Sequence, residues 1–116
     1  MSQKNNHINY IEFKAKNLET TKAFYKKVFG WVFTDYGPKY IAFSDSGLEG
    51  GFEKTDKPIV NSVLVVLYHE NLEAIKHKII SAGGKISKDI FSFPGGQRFH
   101  FMDPSKNELA VWSDPI

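Results

Sequence analysis

The chain contains no cysteine. That single absence removes disulfides, thiolate metal sites and cysteine nucleophiles together, and it agrees with the cytoplasmic location we expect. Arginine is almost missing too: Arg98 stands alone beside fourteen lysines, and the net charge is only +2. Bidentate reading of phosphate and guanine leans on arginine, and these lysines are scattered among Asp and Glu, so no nucleic-acid partner is expected. Long apolar runs are absent as well. The longest, Val63 to Leu67, is far too short to span a bilayer, and Met1 to Asn9 is polar with no signal-like apolar stretch. Neither membrane insertion nor export by that route is expected. No G-x-S-x-G elbow, P-loop or dinucleotide G-x-G-x-x-G occurs, so nothing points to a hydrolase, a kinase or a nucleotide enzyme. The pairs Gly50-Gly51 and Gly95-Gly96 read as turns.

What is present is a core. Hydrophobic residues make up 41% and aromatics 15% of 116 residues, with ten Phe, enough for one domain over 1–116 that folds without cross-links. The segment Asn17 to Gly30, NLETTKAFYKKVFG, aligns without a gap on Asn71 to Gly84, NLEAIKHKIISAGG, at an offset of 54. Asn, Leu, Glu, Lys and Gly coincide at 17/71, 18/72, 19/73, 22/76 and 30/84. Each copy predicts a helix with an Asn N-cap, a Glu in the positive first turn and a glycine stop. In the first copy Thr21, Phe24, Val28 and Tyr25, Phe29 fall at helical spacing; in the second Leu72, Ile75 and Ile79 do. Phe24, Val28, Phe29, Leu72, Ile75 and Ile79 are therefore the expected helical core residues.

A strand precedes each helix, His7 to Ala15 and Asn61 to Tyr68, and three follow each. These are Trp31 to Tyr36, Tyr40 to Ser44 and Gly51 to Thr55, then Lys85 to Phe93, Gln97 to Met102 and Glu108 to Ser113, separated by Gly, Pro, Asp and Ser turns. The order is βαβββ twice, over about 7–57 and 60–113. Strand alternation assigns faces. Ile11, Phe13, Phe99, Phe101, Leu109 and Val111 go under the helices; Tyr10, Glu12, Lys14, Tyr40, Ala42, Ser44, Leu64, Val66, Tyr68, Arg98, His100, Met102, Glu108, Ala110 and Trp112 go to the opposite face.

The run YIEFKAKNLETTKAFYKKVFGW (Tyr10 to Trp31), the middle LEAIKHKIISAGGKI (Leu72 to Ile86) and the hairpin FMDPSKNELAVW (Phe101 to Trp112) together resemble the vicinal oxygen chelate superfamily, the glyoxalase/bleomycin resistance protein/dioxygenase proteins. The resemblance covers nearly the whole chain in order. It implies an α+β fold in which the two βαβββ modules form an open, cupped mixed β-sheet barrel with helices outside and a small-molecule pocket inside. It also implies a homodimer. Metal-dependent members draw ligands from the first, fourth, fifth and eighth strands, and the matching positions are Tyr10, Phe52 or Glu53, Leu64 and Ala110. Only Glu53 among them is an ordinary ligand, whereas a catalytic centre needs about three. No metal and no other cofactor is expected.

The four histidines do not replace that set. His7, His69 and His77 read as solvated surface residues, and His100 stands beside Arg98 in a strand. The expected ligand-binding residues are Tyr10, Glu12, Tyr40, Leu64, Arg98, His100, Ala110 and Trp112, apolar and aromatic walls with a few polar groups. On this reading the chain is a metal-free protein that retains an organic ligand, anionic or aromatic. The alternative is an enzyme related to lactoylglutathione lyase or of dioxygenase type, using Glu12, Glu53 or His100 as general base or a metal site placed elsewhere.

Overall fold

The computed structural model describes residues 3–60, 63–104 and 107–115. Its elements run β1 (Ile8–Ala15), α1 (Leu18–Phe29), β2 (Val32–Asp35), β3 (Tyr40–Ser44), β4 (Gly50–Lys54), β5 (Leu64–Tyr68), α2 (Leu72–Ser81), β6 (Lys85–Phe93), β7 (Gly96–Met102) and β8 (Glu108–Ser113). The βαβββ order thus occurs twice, and the fold class is α+β. The chain forms two compact units, Tyr10–Leu64 and the residues up to Asn9 together with those from Val65 onward. No helix among the described residues is long and apolar enough to cross a membrane.

In the first unit the strand order is β2-β3-β4-β1, antiparallel except for the parallel β1–β4 pair. The helix begins where Asn17 Oδ1 accepts from the Thr20 N–H at 3.0 Å, and it ends at Gly30 in the left-handed region at φ 76°. The stripe Leu18, Thr21, Lys22, Tyr25 faces the sheet. There Ala15, Leu18, Ile41, Phe43 and Phe52 make the buried core, with Ile11, Phe13, Tyr25, Trp31 and Phe33 against it. Trp31 stacks between Tyr25 and Phe43, with ring centroids 4.8 and 4.6 Å away.

This corrects one helical assignment. Phe24, Val28 and Phe29 are 54%, 54% and 59% exposed. The helix carries two apolar stripes at helical spacing, and Tyr25 reaches the Trp31–Phe43–Phe52 stack while its neighbours turn outward. A second correction concerns the pair Gly50-Gly51, which is not a turn: β4 starts at Gly50, one residue before the strand expected from Gly51. Both are buried in β4, paired with Ile11 and Glu12, and each lies where a Cβ would collide with the Ile11 carbonyl or the Tyr40 ring.

In the second unit the order is β5-β8-β7-β6, with β5–β8 parallel and the rest antiparallel. The N-terminal arm belongs here, since Asn6 N–H donates to the Tyr68 carbonyl and Tyr68 N–H to the His7 carbonyl. Asn71 caps α2 through the Ala74 N–H at 3.0 Å. Leu72, Phe99 and Val111 are the buried core, with Ile75, Ile79, Ile86, Ile90 and Phe101 packed on it, so the apolar spacing of this helix is borne out. Its stop is not at Gly84: the cap is Ala82, and Gly83 takes the positive φ of 100°.

The repeat extends further than the aligned helices. Lys22 bonds Asp35 at 3.1 Å and Lys76 bonds Asp89 at 2.7 Å, the same helix-to-strand link at the same offset of 54. Both acids are exposed, so solvent screens each link and it contributes little to stability.

Candidate functional site

Strand pairing sorts the polar residues onto the sheet faces away from the helices. In the first unit Glu12 is opposite Gly51, Gly51 opposite Ala42, and Tyr40 opposite Glu53. Phe52, one residue away, lies in the helix-side core at 4% exposure. The fourth-strand residue on the site face is therefore Glu53, and it is bound by the Lys14 ammonium.

The centre of that face is a chain of hydroxyls on a buried carboxylate. Glu12 is 5% exposed and accepts from the Tyr40 hydroxyl at 3.1 Å, while the hydroxyls of Tyr10 and Tyr40 are 2.6 Å apart. Because an ionised carboxylate only accepts, the Tyr40 proton points at Glu12 and the Tyr10 proton at Tyr40. Burial first, and then the charge of Glu12, push the Tyr40 hydroxyl far above its ordinary value, so Tyr40 remains a donor. The absence of a side chain at Gly51 makes room for this ring. Tyr40→Phe should destabilise the protein by about 1 to 3 kcal/mol, because it deprives a buried carboxylate of a donor; urea unfolding measures the loss.

In the second unit Arg98 is opposite Trp112, His100 opposite Ala110, and Met102 opposite Glu108. Across the other edge Phe91 faces Arg98 and Lys88 faces His100. The Arg98 guanidinium lies 5.4 Å from the Phe91 ring centre and 5.9 Å from that of Phe93, and the Lys88 ammonium lies 4.5 Å from Phe91. The Trp112 indole N–H donates to Asn9 Oδ1 at 2.9 Å, and Tyr68 meets Trp112 edge-on while donating to Asp114. His100 Nδ1 is 3.3 Å from Glu108 Oε2, which also accepts from Ser87 Oγ at 3.1 Å. Burial, then the positive charge of Arg98, hold the His100 imidazole below its ordinary value, with Glu108 acting in the opposite sense.

The expected site residues thus form one linked group in the first unit, Tyr10, Glu12 and Tyr40, and a second group in the other, Arg98, His100, Ala110 and Trp112. Leu64 opens β5 half-buried, and Ala110 is wholly enclosed. His69 departs from the solvated role expected for it: it is half-buried, and its Nδ1 accepts from the Asn71 N–H at 2.9 Å. The partners Lys88, Phe91 and Phe93 escaped the sequence reading because β6 shifts register on both sides of Lys88, and a shifted strand has no constant parity. Glu108 was on the correct face by alternation, but nothing in its spacing linked it to His100.

Two clefts lie elsewhere. One, of about 230 Å³, is at the start of α1 among Lys16, Asn17, Asp35 and Lys54; the other, about 120 Å³, lies between α2 and its sheet near Ile75, Ile79 and Phe101. Both are smaller than the few hundred Å³ of ordinary ligand sites, and neither is lined by Glu12, Tyr40, Arg98 or His100.

The residues at the metal-ligand positions do not fit a metal. The Tyr10 hydroxyl is engaged with Tyr40 and Glu53 with Lys14, and the side chains of Leu64 and Ala110 have no donor atom. Among the described residues no three His, Asp or Glu are grouped to hold an ion.

A sequence model of the Glyoxalase/Bleomycin resistance protein/Dioxygenase superfamily matches residues 7–111. No curated protein sequence matches the chain. Among solved structures, a superfamily member from Vibrio splendidus 12B01 is similar at 14% identity with a TM-score of 0.73, covering 90% of this chain and 97% of that one. Methylmalonyl-CoA epimerase from Mycobacterium tuberculosis is similar at 8% identity and a TM-score of 0.75, covering 100% and 92%. The Mn(II)-bound glyoxalase from Novosphingobium aromaticivorans is similar at 21% identity and a TM-score of 0.71; 97% of this chain matches 40% of that one. Identities this low speak to the fold alone.

Proposed function

The chain belongs to the Glyoxalase/Bleomycin resistance protein/Dioxygenase superfamily, and from that premise we propose that it is a metal-independent small-molecule-binding protein that retains an organic anion with a planar or aromatic body. The observation that carries this reading is the Arg98 guanidinium set over Phe91 and Phe93 and facing Trp112 across the β7–β8 ladder. A guanidinium offers a fixed fork to a carboxylate or phosphate, and flanking rings stack a flat body at low entropic cost. Retention of such a ligand needs no bond to be made or broken. The donor set at the metal-ligand positions supports the same reading, since one lysine-bound carboxylate is a poor anchor for a cation.

The test has two parts. Protein purified without chelator is analysed for bound metal, and a panel of small aromatic anions is screened by ligand-observed NMR. We expect substoichiometric metal, binding of at least one anion, and a loss of about 2 kcal/mol in Arg98→Ala, the scale of a charge-assisted fork contact. Trp112→Ala should weaken the same ligand. Stoichiometric metal, or affinity unchanged in both variants, would overturn the proposal.

A further inference from the structure

The orientation of His100 defines what it can bind. Glu108 Oε2 accepts from two sides, from Ser87 Oγ at 3.1 Å and from His100 Nδ1 at 3.3 Å. A carboxylate accepts and does not donate, so the ring proton of the neutral imidazole sits on Nδ1 and Nε2 carries a lone pair. That Nε2 is buried and has no hydrogen-bond partner among the described residues, while the side chain as a whole is 12% exposed. Buried polar atoms in native proteins are nearly always satisfied, and one that is not marks a place where a ligand or ordered water belongs.

We propose that His100 and Glu108 form a proton-coupled carboxylate subsite, in which a ligand carboxylate binds at Nε2 and the complex takes up one proton on the imidazole. This deepens the reading given above and rests on it. A carboxylate is an acceptor, so it engages Nε2 only if that nitrogen carries a hydrogen. The proton comes from solvent, no covalent bond within the ligand changes, and the resulting imidazolium lies between two carboxylates, Glu108 and the ligand.

The charges around the ring set the sign. Arg98 on its own strand and Lys88 on β6 oppose protonation, and Glu108 on β8 favours it. With burial added, the empty site keeps His100 neutral. A ligand anion offsets the two cations and supplies the acceptor, which favours the charged ring. Binding and protonation therefore reinforce each other, and affinity rises as pH falls towards the value at which the empty site itself protonates.

The wall over the ring is suited to admitting a ligand. Phe91, whose ring centre is 6.0 Å from that of His100, belongs to β6, the edge strand beyond β7 in the order β5-β8-β7-β6. The β6–β7 pairing breaks register between Ile86 and Lys88 and again between Lys88 and Phe91. Such irregularities remove ladder bonds, bend an edge strand and re-aim its side chains.

Benzoate, an aromatic carboxylate, and benzamide, its neutral counterpart, are the probes. Calorimetric titration of the full chain at about pH 7.5 and about pH 5.5, in buffers of different ionisation heat, should show benzoate binding about tenfold or more tighter at the lower pH, with net proton uptake between. Benzamide should show no such dependence. His100→Gln should bind benzoate equally at both pH values, and side-chain nitrogen NMR should show the His100 resonances moving towards the protonated form on benzoate addition at neutral pH. Benzoate binding that is independent of pH in the unaltered protein, or pH dependence that survives in His100→Gln, overturns the subsite. If such binding still requires Arg98, the reading of the preceding section stands alone. Failure to bind benzoate at either pH also overturns the subsite, and the wider anion panel then judges that reading separately.

Discussion

Phe99→Ala is expected to lose about 3 to 5 kcal/mol of stability, as large core side chains do when truncated to Ala. Phe99 is wholly enclosed, packed with Leu72 and Val111 beneath α2, its ring 6.3 Å from that of Phe101. Removing the ring takes away its transfer free energy and leaves a void that a two-sided contact between helix and sheet has little room to close. Phe24→Ala is the control. Phe24 is a phenylalanine at helical spacing on α1, yet it is 54% exposed, and its truncation should cost well under half as much. Urea unfolding of both variants measures the contrast. Equal losses would mean that the outward stripe of α1 is buried and that the inward stripe is misassigned.

Gly50→Ala is expected to cost about 3 kcal/mol or more, at the upper end of overpacking effects. A methyl group there would meet the Ile11 carbonyl oxygen, a backbone atom, together with the Phe43 ring and the Ile11 side chain. Ile11 is also the residue paired with Gly50 in the parallel β1–β4 ladder, so relief requires the two strands to separate. Gly51→Ala is the instructive neighbour. Its methyl group would meet the far end of Tyr40, a side chain that can swing aside at the expense of its bond to Glu12. The smaller loss should therefore fall at Gly51, and combining Gly51→Ala with Tyr40→Phe should cost less than the sum of the two, since both remove the same bond. Thermal or urea unfolding of the four variants provides the comparison. A Gly50→Ala protein as stable as the parent would contradict the close β1–β4 approach.

Much of this molecule is legible in its sequence because the governing interactions are local or periodic. Asn17 and Asn71 cap helices with their own side chains three residues ahead, so a short segment suffices to place each helix start. Alternation in β1, β3, β7 and β8 separates Ile11, Phe43, Phe99 and Val111 from Glu12, Tyr40, Arg98 and Trp112, because a regular strand turns successive side chains to opposite faces. The offset of 54 between the halves shows the doubled βαβββ order before any contact is considered.

The tertiary structure alone decided matters in which two segments compete for the same space. Helix α1 has two apolar stripes, and the choice of Leu18–Tyr25 over Phe24–Val28 was made by the Trp31–Phe43–Phe52 stack, against which Tyr25 packs. Gly50 and Gly51 together have the composition of a turn; that β4 already starts at Gly50 follows from its close approach to Ile11 and Phe43. The rings beneath Arg98 depend on register shifts in β6 that no periodicity encodes, and His100 meets Glu108 only because the β7–β8 ladder brings two separate strands together. Caps and alternation are written within a few residues of chain, whereas the chemistry of the candidate site arises between strands, where position is settled by packing.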